Sequence, residues 1–170
     1  SAYIEQLSED AHRLIALVSL SGVLAVSTLS LLMPENTASV VLGEPALKSL
    51  LLHTPGERRN LDTYELSHPV IAMLLLERLS EEAVLVLHRE LATALQPQRR
   101  EHSDKIAHHL VQAKAYNEAL PYYIYAAKRA SRSETNRRVI QHAKSAISLI
   151  KTHGASFPDD ATAALVYLLW

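Results

Sequence analysis

Histidine is the residue type here with the most chemistry to offer. The chain holds nine of them, with no Cys. His102, His108 and His109 lie close together, which raises the question of a metal centre. Adjacent His108 and His109 would point about 100° apart on a helix, and His102 has no carboxylate at i+4 to complete a ligand set. Hydrogen-bonded or surface histidines are the expectation, with no metal site. A thiolate nucleophile and a Cys-based zinc site are excluded by composition, and the lack of Cys fits a reducing compartment. Four scattered Gly make no phosphate-binding loop, and the His-Glu-x-x-His zinc pattern is absent. A Ser/His/Asp set can be drawn in any chain this rich in His, but no strained nucleophile turn accompanies it. No catalytic residue is therefore expected, and the chain does not read as an enzyme.

Nucleic acid is the next chemistry to weigh. Net charge is −1, from 17 Lys and Arg against 18 Asp and Glu, whereas phosphate binding draws on a basic excess gathered on one face. Arg58 and Arg59 in a polar loop could touch a DNA backbone, with Lys128-Arg129 or Arg137-Arg138 extending the patch. The helix best placed for base readout, near Glu44 to His53, offers only Lys48 and His53 as polar donors beyond Ser49. Base readout favours Arg, Asn or Gln. Nucleic acid is not expected as a partner. A DNA-binding winged helix with a helical dimerisation tail stands as the alternative function.

The elements that would position these residues follow from composition and periodicity. Hydrophobic residues make up 48% of the 170, with Leu and Ala abundant, which favours helices. Leu14 to Met33 is a run of 20 uncharged residues, about the length of a membrane span. Ser21-Gly22 interrupts its centre, so two short buried helices are expected, about Asp10 to Leu20 and Val23 to Leu32. Pro45 opens a third, with Leu47, Leu50 and Leu51 on its buried side. A polar loop spans Thr54 to Asn60, and Leu61 to Leu66 alternates as a half-buried strand does. Three helices, a loop and a strand outline a winged helix. His68-Pro69 starts a fourth helix to about Leu79, Ser80 caps a fifth to about Leu95, and Gln96-Pro97-Gln98 links onward.

Beyond residue 100 the pattern becomes paired helices, about Ser103 to Lys114, Asn117 to Ser131 and Glu134 to Thr152, with a last one over Asp159 to Trp170. Ile106, Ala107, Leu110, Tyr116, Ala119, Tyr123 and Ala126 fall on the spacing of one tetratricopeptide repeat, and Val139, Ala143, Ala146 and Ile150 form a degenerate successor. Small Ala side chains let such helices approach closely. The apolar end, Leu165 to Trp170, is expected to continue into a longer helical array. The fold class is mainly α: a winged-helix-like module with a short β wing over 1–96, then tetratricopeptide-like antiparallel helical hairpins over 97–170.

In this order the motifs resemble those of signal-transduction ATPases with numerous domains, the STAND class, over about residues 4–150. Ile4 to Ser8 and on to Ser21-Gly22 resembles the helix that follows their ATPase core. Tyr64-Glu65-Leu66-Ser67-His68-Pro69-Val70-Ile71 resembles their Phe-x-x-His-x-Leu-Ile strand-to-helix junction. Leu79-Ser80 with Leu87 to Ala92 is similar to the next helix, and Ile106 to Leu110 with Ala119 to Tyr123 to the start of the helical repeats. Many such proteins are transcription regulators, LuxR-type ones among them. The resemblance implies a cytoplasmic, non-catalytic relay and protein-interaction segment that lacks the ATPase core, with ATP or ADP bound by the missing upstream domain and no cofactor on this segment. It implies two partners, the protein's own upstream ATPase domain and a protein or small effector on the repeats, and no membrane. Tyr122, Tyr125 and Lys128 would line the repeat groove. His68 takes the place of the histidine that touches ADP phosphate in related switches; its plainer role would be a structural histidine hydrogen-bonded to the wing.

Overall fold

The uncharged N-terminal run is where the fold begins. The computed structural model describes residues 7–58, 61–133 and 136–153. Helix α1 spans Glu9–Ser21; Ser8 caps it by accepting the Ala11 N–H at 3.1 Å, and Glu9 and Asp10 face the helix dipole from the first turn. Ala11 and the continuous stretch Leu14 to Val18 are buried. Gly22 stops the helix with φ 74° and ψ −57°, a backbone that L side chains rarely adopt. Among the described residues no helix is long and apolar enough to cross a membrane.

A second helix was expected from Val23. Instead Val23–Ala25 forms strand β1, and helix α2 covers only Val26–Leu32. The cause is tertiary: β1 lies antiparallel against β3 (Thr63–Leu66), pairing Leu24 with Tyr64 and burying Leu24 in the core. Local apolar periodicity yields to ladder hydrogen bonds that only distant residues can supply. Helix α3, Glu35–Gly43, was not anticipated. Helix α4 begins at Pro45 as expected but stops at Leu50, and Leu51–Thr54 becomes strand β2 on the other side of β3. The sheet order is β1-β3-β2, with the one anticipated strand in the middle. Helix α5 spans Pro69–Leu76, shorter than expected, and α6 spans Glu81–Leu95, with Ser80 accepting the Ala83 N–H.

The core of this part gathers Leu14, Ile15, Leu17 and Val18 of α1 with Leu24, Leu29, Met33, Leu47, Leu75 and Leu91. Arg13 ties α1 to its surroundings, donating to the Leu32 carbonyl at 3.1 Å and to Glu90 Oε2 at 2.8 Å. The chain divides into two units, Ser1–Ala94 and Leu95–Trp170.

The second unit opens with a 3-10 turn, Gln96–Gln98, and helix α7, Arg99–Gln112, kinked where His102 leaves helical geometry. Helix α8, Tyr116–Ser133, and helix α9, Asn136–His153, follow. The α7–α8 turn places Lys114 at φ 58°, and the Ala115 N–H reaches back to the Leu110 carbonyl at 2.8 Å. That closure satisfies carbonyls a helix end leaves open. Ile106, Ala107, Leu110, Ala119 and Ala126 are all buried. Leu120, Ala143 and Ala146 form a cluster with Tyr123, Ile124, Ile147 and Ile150 packed on it. The helix expected over Asp159 to Trp170 lies outside the described residues. The described residues are mainly helical with one small sheet.

Candidate functional site

The β3–α5 junction holds His68, the residue expected to meet a nucleotide phosphate. β3 leaves the sheet at Leu66, and Ser67 fastens the exit: its N–H donates to the Leu50 carbonyl at 2.9 Å and its hydroxyl to that of Ser49 at 3.3 Å. His68 follows in extended backbone, φ −141° and ψ 128°, the conformation that a following Pro enforces. Its carbonyl accepts the Ile71 N–H, starting α5. The imidazole itself is exposed, does not cap α5, and has no hydrogen-bond partner among the described residues. A tie between this histidine and the wing is therefore not found.

Beyond His68, α5 turns Val70, Met73 and Leu74 outward, the first two with more than half their surface in solvent. Their i, i+3, i+4 spacing makes one apolar stripe.

The loop between β2 and β3 has its own construction. Asp62 is its hub: Oδ1 accepts the Gly56 N–H at 2.9 Å, Oδ2 lies 3.0 Å from His53 Nε2, and its carbonyl accepts the Val26 N–H. His53 stands opposite Tyr64 in the β2–β3 register, and the two rings stack with centroids 5.1 Å apart. His53 was expected on a helix as a donor for bases; it sits on a strand, committed to Asp62 and Tyr64. Arg58 is exposed in this loop, and Arg59 lies outside the described residues. An open cleft of about 600 Å³ adjoins the hub, lined among others by Glu35, Lys48, Asp62 and Tyr64. Lys48 is the one cation among these four, beside the carboxylates of Glu35 and Asp62.

Several polar groups in the second unit are likewise committed. The kink at His102 frees the carbonyls of Arg100 and Glu101, and the Arg129 guanidinium donates to both, at 2.5 and 2.8 Å. The His102 ring lies 3.0 Å from Gln98 Oε1. Burial, then Lys105, holds its pKa below the usual histidine value, against the opposing pull of Glu101 and Asp104. Tyr122 donates to Gln96 Oε1 at 2.6 Å, so its hydroxyl is not open to a groove ligand, while Tyr125 and Lys128 are exposed. Tyr123 stacks on His142, and burial together with Asp104 raises its pKa. His108 and His109 meet edge to face, one exposed and the other buried. Among the described residues no group of three or more His, Asp or Glu could hold a metal ion.

No family model, curated protein or solved structure matches the chain. Its function has to be read from these residues alone. The sequence reading missed the Asp62 hub, because His53 and Asp62 are nine positions apart and meet only once β2 and β3 pair. Tyr64 and His53 could have been paired in advance had Leu51 to Thr54 been taken as a strand.

Proposed function

We propose that this chain is a non-catalytic relay and protein-interaction segment of a STAND-type ATPase, of the kind found in LuxR-type transcription regulators. The first unit acts as the winged-helix relay and the second begins a tetratricopeptide-like array that receives a partner. The order helix, strand, three helices, then a β hairpin, with sheet order β1-β3-β2, supports the winged-helix part of the reading. The buried Ile106, Ala107, Leu110, Ala119 and Ala126, on the repeat spacing, support the second part.

One observation carries the relay reading. Immediately after the solvent-facing His68, α5 presents the apolar stripe Val70, Met73 and Leu74. Apolar side chains gathered on one exposed stripe mark an interaction surface. In this reading the stripe packs on the upstream nucleotide-binding domain, and His68 is placed to meet the phosphate of bound ADP. The six-residue α4, whose one cation is Lys48, offers a DNA duplex little to hold.

The test uses the intact protein that carries this segment. His68→Ala should speed ADP release while leaving folding untouched, because the ring makes no hydrogen bond among the described residues. Unchanged ADP release would count against His68. Met73→Glu should disturb nucleotide-dependent switching; a variant that switches normally would remove the α5 stripe from the relay. A duplex-DNA titration of the present chain at two salt concentrations checks the competing assignment, since phosphate-driven affinity falls steeply with salt.

A further inference from the structure

The near-neutral total hides two units of opposite charge. Residues 1–94 carry six Lys or Arg against twelve Asp or Glu, and residues 95–170 carry eleven against six. The imbalance is sharpest in α9, which has Arg137, Arg138, Lys144 and Lys151 and no carboxylate at all.

These cations are not spread evenly round the helix. Val139, Ala143, Ala146 and Leu149 fill its buried face. Opposite them Arg137, Ile140, Lys144, Ser148 and Lys151 are exposed, at spacings that return every turn to one side. From Arg137 to Lys151 the stripe runs about 21 Å at 1.5 Å per residue. Among the described residues none of Arg137, Lys144 and Lys151 pairs with a carboxylate. Ile140, 43% exposed, lies between the first two cations.

We propose that this stripe of α9 docks an acidic segment of a partner protein, one that carries apolar residues among its Asp and Glu. The inference rests on the reading of the second unit as a partner-binding array and names the chemistry of the partner. Three unpaired cations spaced about two turns apart match carboxylates recurring every seventh residue on an amphipathic helix. Ile140 supplies an apolar contact that a polyanion would leave unused. Nucleic acid fits the spacing poorly: a duplex presents a charge every 1.7 Å or so, about a dozen along this length, against three cations.

The test is fluorescence anisotropy on the full 170-residue chain with labelled peptides of about 15 residues, long enough as helices to cover the stripe. One peptide combines Glu and Leu in an amphipathic pattern; two analogues carry Gln or Lys in place of Glu; a short DNA duplex is the fourth probe. The Glu peptide should bind best and weaken with salt. The combined Arg137→Ser, Lys144→Ser and Lys151→Ser variant should lose about tenfold in affinity, from three exposed ion pairs, with unchanged circular dichroism. Arg132→Ser, in the exposed last turn of α8, should bind as the parent does. Equal binding by the triple variant overturns the assignment to α9. Equal binding of the Gln peptide overturns the acidic class while leaving the second unit a binding module. Binding of no peptide removes both, and tighter binding of the duplex than of the Glu peptide transfers the stripe to nucleic acid.

Discussion

Among the described residues two positions have left-handed backbone, one occupied by the residue suited to it and one not. Gly22 has φ 74° and Lys114 has φ 58°. Replacing Gly22 with Ala adds a Cβ that meets no heavy atom within 4 Å, so the cost is purely conformational. A left-handed L residue costs about 1–2 kcal/mol, and the unusual ψ of −57° places Gly22→Ala at the upper end. Lys114→Gly runs the other way: it releases a similar strain but adds freedom to the unfolded chain, leaving a gain of about 0.5–1 kcal/mol. The two changes lie in different units, so native-state hydrogen exchange can separate them. Gly22→Ala should speed exchange of buried α1 amides such as Leu14 and Val18 by about thirtyfold, since each 1.4 kcal/mol is a factor of ten and the cost is about 2 kcal/mol. Lys114→Gly should slow exchange at Leu110 and Ala119 by about threefold and leave α1 untouched. Neutral Gly22→Ala, or Lys114→Gly that destabilises, would refute the assignment of strain to these two turns.

Other outcomes follow from single groups. Asp62→Ala strips an acceptor from Gly56 and a partner from His53, and should destabilise the first unit by about 1–2 kcal/mol in urea titrations; Asp62→Asn, which keeps one acceptor, should cost less, and equal losses would deny Asp62 its hub role. Burial disfavours protonated His102, so its contribution to stability is complete above the ordinary value of 6.5 and is lost as pH falls through its lower folded value. Comparing stability at about pH 7.5 and 5.5 against His102→Gln isolates it from the other histidines: the variant should show the shallower decline, and parallel declines would remove His102 from the acid response.

Helices with clear start signals were legible. Ser8 with its acidic turn, Pro45, Ser80 and the Ala-rich spacing of α7 and α8 are local signals, and each element forms close to where it reads. The strands β1 and β2 were not legible, for a common reason. Val23-Leu24-Ala25 continues an apolar run and Leu51-Leu52 ends one, so neither alternates. What makes them strands is β3, whose two edges each need a partner, and that demand comes from 9 to 42 residues away in sequence. The same blindness hid the site chemistry: His53 reads as a helix residue facing solvent until β2 sets it against Tyr64. Regional charge was visible all along but cancelled in the total.

The distribution of committed and uncommitted groups separates scaffold from working surface. Asp62, Arg13 and Arg129 each serve two or more partners within their own unit, and Tyr122 closes on Gln96. A catalytic constellation needs a nucleophile or base held in place yet open to a substrate. Among the described residues those four groups are held by structural bonds, whereas the His68 ring, Arg137, Lys144 and Lys151 are open to solvent and pair with no carboxylate. Exposed groups of that kind gain partners only when another surface arrives. Each unit accordingly keeps its chemistry on one helix face, apolar on α5 and basic on α9, and the opposite character of the two faces means that a single partner surface would not satisfy both. The upstream domain proposed to meet Val70, Met73 and Leu74 and the acidic segment proposed to meet Arg137, Lys144 and Lys151 would therefore be two different surfaces.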